Sequence, residues 1–157
     1  MDVRSTVAGM SVPAAITVGV HRLSAEVVVP AYQSSGAAAV DLAAAAEVVV
    51  PPRGLVLVPT GLVFAVPAGH FLAIVARSSL PKRGLLVANG LGVLDSDYRG
   101  ARDEARVLVH NYTEAPVTIA AGERIAQAFV LAVPRVHFEP FTPDAEVSRG
   151  GFGSTGQ

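Results

Sequence analysis

The chain contains no cysteine, which removes disulfides, thiolate nucleophiles and cysteine metal sites together and leaves the redox compartment open. An excess of one charge is missing as well. A formal net charge of −1 gives no global attraction for a polyanion, and no basic stripe is present for a nucleic acid to follow, so any phosphate site must be local. No uninterrupted apolar run approaches the about 18 residues of a membrane span. The stretch from Val7 to Val20 is apolar and small, but Pro13 interrupts it and the single Arg4 is offset by Asp2. A secretory signal has a cleaner positive-then-apolar layout. Residues 1–15 are therefore expected to be a tail leading into a first strand at Ile16–Val20, in a protein of the cytoplasm. Charged residues make up only 16% of the chain against 51% hydrophobic, a balance that argues for a packed core rather than disorder. At 157 residues that core fits one domain.

Helical patterning is scarce too. Ala37–Val48 is alanine-rich and helical by propensity alone, yet it lacks an apolar stripe and reads better as loop plus strand. What the sequence does have is short runs of Val, Ile, Leu and Phe: Glu47–Val50, Leu55–Val58, Leu62–Val66, Phe71–Ala76, Leu85–Ala88, Arg106–His110, Val117–Ile119 and Ile125–Val133. Pro51-Pro52, Gly54, Pro59, Gly61, Pro67, Gly69, Pro116 and Gly122 punctuate the gaps. Many short strands so separated predict an all-β sandwich or barrel over residues 16–142. From residue 143 the composition turns to Pro, Gly, Ser and Thr, ending Arg149-Gly-Gly-Phe-Gly-Ser-Thr-Gly-Gln157. Such a segment cannot build a core alone and reads either as a disordered tail or as a mobile arm closing over an anion, since glycine lets successive N–H groups converge and hydroxyls add donors.

Three internal segments carry the polar residues with chemical potential. Arg77-Ser78-Ser79, with Lys82 and Arg83 beyond, sets a guanidinium beside two hydroxyls, which suits phosphate oxygens; taken alone it reads as a solvated loop. Asn89–Gly100, N-G-L-G-V-L-D-S-D-Y-R-G, combines Gly-punctuated turns with two acids and an aromatic, either a hairpin pocket or a hairpin with a polar tip. In Gly122-Glu-Arg-Ile-Ala-Gln127, Glu123 and Arg124 read as turn and surface, whereas Gln127 is flanked by apolar residues and stands out.

Together with Ala38-Ala-Val-Asp41-Leu42, these segments and the terminal arm resemble, in order, the five motifs of trimeric dUTPases. A-R-S-S-L is similar to the second motif, G-V-L-D-S-D-Y-R-G to the third, G-E-R-I-A-Q to the fourth and G-G-F-G-S-T-G to the fifth. The third and fifth are specific; the second and fourth gain weight from their order. The resemblance covers about Arg22 to Gly156 and implies a distorted jelly roll of the β-clip type, assembled as a homotrimer with three shared active sites. It further implies hydrolysis of dUTP to dUMP and pyrophosphate with Mg2+, which lowers dUTP and supplies dUMP for thymidylate synthesis. Carried over residue by residue, uracil is expected against Asn89 to Tyr98, read by the Asn89 amide and by backbone groups including Leu94. Tyr98 is expected flat on the deoxyribose, and Asp95 on the 3′-hydroxyl and the attacking water. Arg77, Ser78, Ser79 and Gln127 are expected at the phosphates or that water, with Asp95 and Gln127 as the catalytic pair. In the arm, Phe152 covers uracil while Gly153, Ser154 and Thr155 meet the γ-phosphate. Magnesium is expected on the triphosphate, with no direct protein ligand and with Asp41 reached, if at all, through water.

The chain departs from the family pattern in three places. Ala39 and Val40 stand where Gly and an apolar residue usually precede Asp-Leu. The run from Gly100 to Asn111 is about three residues longer than usual, a longer turn or bulge bearing Arg102, Asp103 and Glu104. In the arm, Arg149 lies three residues before Phe152 where about five is usual, so its reach to the γ-phosphate depends on Gly150-Gly151. Two alternatives follow from the same sequence. A dCTP deaminase shares the fold and an R-S-S-L segment and would need a buried acid, for which Glu104 is the candidate. A non-catalytic nucleotide- or protein-binding sandwich would be expected to have lost Asp95 or the arm.

Overall fold

The computed structural model describes residues 15–144 together with Ser148 and Gly150. Eleven strands are present among them: β1 Gly19–Arg22, β2 Val40–Ala43, β3 Val48–Val50, β4 Leu55–Pro59, β5 Leu62–Ala65, β6 His70–Ala76, β7 Leu85–Val87, β8 Leu91–Leu94, β9 Arg106–Asn111, β10 Val117–Ile119 and β11 Arg124–Ala132. A four-stranded sheet runs β2-β11-β6-β8, a three-stranded sheet runs β4-β9-β7, and the pairs β1-β5 and β3-β10 complete the framework. Every pairing is antiparallel, the arrangement that lets one face of a sheet pack inward while the other meets solvent or a partner. The result is an all-β, distorted jelly-roll sandwich.

The inward faces meet in one core. Leu42, Val50, Val58, Leu85, Val109, Ile119 and Ile125 are fully buried, and they come from β2, β3, β4, β7, β9, β10 and β11. Leu42 explains why the alanine-rich segment 37–48 is not helical. Its burial and the pairing of Val40–Ala43 along β11 outweigh a propensity preference of at most a few tenths of a kcal/mol per residue. Ala39 needs no left-handed backbone: the one described non-glycine residue with positive φ is Arg53. The first strand begins later than the apolar run suggested, at Gly19, because its partner β5 fixes the register Gly19↔Ala65 to Arg22↔Leu62.

The segment 89–100 also differs from expectation. It is not a hairpin of two paired strands: β7 belongs to the three-stranded sheet, and β8 pairs with β6 in the other. Asn89-Gly90 forms the corner between them, with the Gly90 N–H donating to the Val87 carbonyl at 3.0 Å. Gly90 adopts φ 66°, which costs an L residue strain and glycine little. The chain returns through Asp95–Ala105 to β9, beside β7. Residues 89–105 are thus an excursion from one sheet to the other, and the pocket they form lies at the sandwich edge. No helix among the described residues is long and apolar enough to cross a membrane.

Candidate functional site

One group of polar residues stands on the outer face of β2, β11 and β6. Gln127 lies opposite Asp41 on β2 and opposite Val75 on β6. Cross-strand partners share a face, and so do residues two apart, so Asp41, Gln127, Val75 and Arg77 all point the same way. Arg124 would by simple alternation point inward, three residues before Gln127. A register shift between Arg124 and Ala126, a bulge of one extra residue, restores it to the outer face. The carboxylate of Asp41 gathers these groups. Its Oδ1 forms an ion pair with Arg77 Nε at 2.9 Å, its Oδ2 accepts from Arg124 Nη1 at 3.0 Å, and Gln127 Nε2 approaches Oδ1 at 3.5 Å. Arg77 Nη1 also donates to the Arg124 carbonyl at 3.1 Å. The Asp41 side chain is only 7% exposed, whereas those of Arg77 and Arg124 are 25% and 50% exposed. A buried carboxylate thus holds two guanidinium groups whose outer edges remain open, the arrangement an anion site needs.

Ser78 and Ser79 follow at the end of β6, both exposed. Ser79 begins the short 3-10 helix Leu80–Arg83 without using its hydroxyl as a cap, so the hydroxyl remains available to a ligand. Gly84 closes the helix at φ 78°, and a Cβ there would lie 2.1 Å from Thr113 Cγ2; no other residue fits. Arg83 then reaches across to an ion pair with Glu123 and donates to the Thr118 carbonyl. Glu123 Oε2 accepts the Ala120 N–H at 3.1 Å, tying the turn before Arg124 to the end of the 3-10 helix.

A second group lies at the far end of β8. Leu94 is opposite Leu72, five residues or about 17 Å of strand from Arg77. Here a cavity of about 460 Å3 is lined by Leu57, Val93, Leu94, Asp95, Tyr98, Arg102, Glu104 and Arg106. The turn after β8 closes with the Tyr98 N–H donating to the Asp95 carbonyl at 3.1 Å, which sets both side chains at the cavity. Asp95 is exposed, and its carboxylate accepts no hydrogen bond from a described residue. Tyr98 is 43% exposed, and its Oη donates to the Glu104 carbonyl at 3.3 Å, so the ring is anchored with a face free. Asn89 is exposed at the sheet corner, its amide beside Gly92, where a Cβ would lie 3.2 Å from Ile74 Cβ and 3.5 Å from Asn89 Nδ2.

Glu104 is buried, as the deaminase alternative required, but both of its oxygens are engaged. Oε1 accepts the Gly61 N–H at 2.8 Å and Oε2 accepts Arg106 Nε at 2.7 Å. A carboxylate so tied, with one oxygen on a backbone N–H and the other on a guanidinium, serves as a loop anchor. Asp97 sits in the turn, where its carbonyl accepts the Arg99 N–H at 3.0 Å.

The structure therefore sorts the expected residues into two sets: Asp41, Arg77, Ser78, Ser79 and Gln127 at one end, and Leu94, Asp95 and Tyr98 at the other, with Asn89 at the corner between β7 and β8. Arg149, Phe152, Gly153, Ser154 and Thr155 lie outside the described residues. Arg124 and the Arg83–Glu123 pair were not foreseen from the sequence. Arg124 read as surface because the bulge that redirects it leaves no mark in the apolar pattern.

Comparison with known proteins gives a consistent answer. The dUTPase family model matches residues 25–156. A deoxyuridine 5'-triphosphate nucleotidohydrolase of Methylocella silvestris is 43% identical over 150 residues, covering 90% of this chain and 92% of that relative. Its counterpart in Wolinella succinogenes is 41% identical over 139 residues, covering 87% and 91%. Among solved structures, a dUTPase from Streptococcus mutans superposes with a TM-score of 0.72 at 28% identity, over 76% of this chain and 99% of that one. The dUTPase of Staphylococcus bacteriophage 80alpha with dUPNHPP superposes at 0.79 and 22% identity over 90% and 99%, a likeness of fold.

Proposed function

The chain belongs to the dUTPase family, and from that premise we propose that it hydrolyses dUTP to dUMP and pyrophosphate by attack of water at the α-phosphorus. The observation that carries this reading is the pairing of an open, two-arginine anion cluster with a separate pocket holding an uncommitted carboxylate. Uracil lies along Asn89 to Leu94, read by the Asn89 amide and by backbone groups. A cytosine there leaves buried donors and acceptors unpaired, which is strongly unfavourable. The ring of Tyr98 packs on the deoxyribose. Asp95 accepts from the 3′-hydroxyl and orients or deprotonates the attacking water; a free carboxylate is already an acceptor at neutral pH. Arg77, Ser78, Ser79 and Gln127 line the phosphates, where charge neutralisation does most of the catalytic work. Arg124, which completes the cluster around Asp41, joins them.

The donor set bears on the metal. Both oxygens of Asp41 face guanidinium groups, and among the described residues no three His, Asp or Glu side chains cluster as a metal site. These residues suit an ion that arrives on the nucleotide. Bound so, Mg2+ neutralises the triphosphate while keeping most of its own waters.

Leu94 and Asp95 stand about five residues of strand, or roughly 17 Å, from Arg77, a separation that suits a site whose two halves come from different copies. Leu57 on β4 and Val93 on β8 are each 53% exposed, and Leu55, Leu86 and Leu91 are exposed near them. Apolar surface in this quantity marks an association face. Three copies, each lending its nucleoside pocket to a neighbour's anion cluster, complete three sites, and the terminal arm with Arg149, Phe152, Gly153, Ser154 and Thr155 closes each one. The product dUMP feeds thymidylate synthesis in the cytoplasm.

The test is the product released from each deoxynucleoside triphosphate in the presence of Mg2+. Pyrophosphate and dUMP from dUTP, with little turnover of dCTP, dTTP or dATP, is the expected result. Ammonia from dCTP, or no hydrolysis of dUTP, overturns the proposal.

A further inference from the structure

The nucleoside pocket contains a cation with no partner among the described residues. Of its four charged residues, Glu104 and Arg106 neutralise each other through the 2.7 Å contact, which leaves Asp95 and Arg102. Arg102 is exposed, lines the cavity and makes no ion pair or side-chain hydrogen bond with a described residue. It stands on the segment that makes this loop longer than the family pattern, and that segment is firmly held. The Asp103 carboxylate accepts the Gly100 N–H at 2.6 Å, and the Asp103 N–H donates to the Gly100 carbonyl at 2.9 Å. On either side the loop is clamped by Tyr98 Oη on the Glu104 carbonyl and by the Ala105 N–H on the Leu62 carbonyl at 2.8 Å. Thr60 Oγ1 donates to the Ala105 carbonyl at 2.6 Å.

A clamped loop presenting an unpaired guanidinium beside a free carboxylate has the complement of a nucleotide in it. The carboxylate takes a sugar hydroxyl, the tyrosine takes the apolar face, and the guanidinium has one anionic group to meet. We propose that Arg102 is a substrate-binding residue that contacts the α-phosphate of the bound nucleotide, the phosphate covalently nearest the sugar. This rests on the dUTP reading above and adds to it a cation from the nucleoside-binding side of the site. Because the α-phosphate is present in substrate and product alike, Arg102 strengthens binding of both and acts mainly on KM.

The experiment compares binding of dUMP and deoxyuridine to the full-length protein by calorimetry, with dUTP hydrolysis measured alongside. In Arg102→Ala, the Kd for dUMP is expected to rise about tenfold and the Kd for deoxyuridine to stay within a factor of two. KM for dUTP should rise with little change in kcat, and Arg102→Lys should recover part of the loss. The melting temperature is expected to be unchanged, because the side chain makes no bond with a described residue. An equal weakening of dUMP and deoxyuridine, or of neither, overturns the proposal. If the wild-type protein fails to hydrolyse dUTP, the functional reading falls, while the dUMP-to-deoxyuridine contrast still decides the role of Arg102.

Discussion

The two polar regions of this protein are built on opposite principles. Around Asp41 the charged groups hold one another: two guanidinium groups and a carboxamide converge on one buried carboxylate, and Arg77 also donates to the Arg124 carbonyl. Around Asp95 the backbone is fixed by turns while the functional side chains, Asp95 and Asn89, are left uncommitted. The contrast matches what each end has to do. Binding a polyanion rewards cations held in place before it arrives, since no reorganisation is then needed during reaction. A carboxylate that must accept from a hydroxyl or a water does better with its lone pairs free.

Asp95→Asn is the sharpest way to break the contrast from the pocket side. The exchange keeps size and polarity at an exposed position, so folding should not change. Turnover of dUTP should fall by about a hundred- to ten-thousandfold, the usual range for a positioned acid–base group, with the Kd for a non-hydrolysable dUTP analogue altered little. Near-normal kcat would remove Asp95 from the chemistry.

Mixing experiments ask whether the two regions belong to different copies. Arg77→Gln cripples the anion cluster and Asp95→Asn the pocket, and each variant alone should be nearly inactive. Refolded together, chains that exchange sites should regain up to about a quarter of wild-type activity, because random reassortment leaves some sites with both halves intact. Failure to gain activity in a mixture shown to contain hetero-oligomers would place both halves in one chain.

Asp41→Asn tests the clustered end. Removing one partner from a mostly buried ion network leaves two cations facing each other, and such losses cost several kcal/mol when fully buried. Arg77 and Arg124 are partly exposed, so about 2 kcal/mol is expected in chemical denaturation, together with a roughly tenfold drop in kcat as Arg77 loses its orientation. Unchanged stability would mean that the arginines do not depend on Asp41 for their placement.

Much of this division could be read from the sequence, and the limits were physical. The strands were legible because Val, Ile and Phe alternate between Pro and Gly punctuation. Gln127 stood out because it is flanked by apolar residues, whereas Asp95 and Tyr98 were singled out by the resemblance of their segment to the third dUTPase motif. What escaped depends on contacts distant in sequence. The bulge that brings Arg124 to Asp41, 83 residues away, is a property of pairing with β2 and not of the local residues. The sheet-to-sheet excursion at Asn89-Gly90 read as a hairpin because both begin with a turn; only the partners of β7 and β8 distinguish them. Glu104 was suspected for its chemistry, and its role followed only once Gly61 and Arg106 were seen to occupy both oxygens.

Glu123→Gln should have the smallest effect, and it measures how far the rigid end extends. Glu123 joins the turn before Arg124 to Arg83 at the end of the 3-10 helix, so the elements carrying Arg77, Ser79 and Gln127 are linked behind the proposed phosphate site as well as through Asp41. Glu123 uses one oxygen for the Ala120 N–H and the other for Arg83; a glutamine has a single acceptor oxygen and can keep only one of these contacts, so the charge and one acceptor are lost. The pair is about one-third exposed on each side, and pairs in that setting contribute roughly 0.5–1 kcal/mol. A stability loss of that size is expected in denaturant titration, with kcat unchanged and KM for dUTP raised less than about threefold. If kcat instead falls as it does for Asp41→Asn, the Arg83–Glu123 link holds the phosphate site in register, and the clustered region reaches from β2 to the end of the 3-10 helix. If neither stability nor KM moves, its rigidity comes from Asp41 alone.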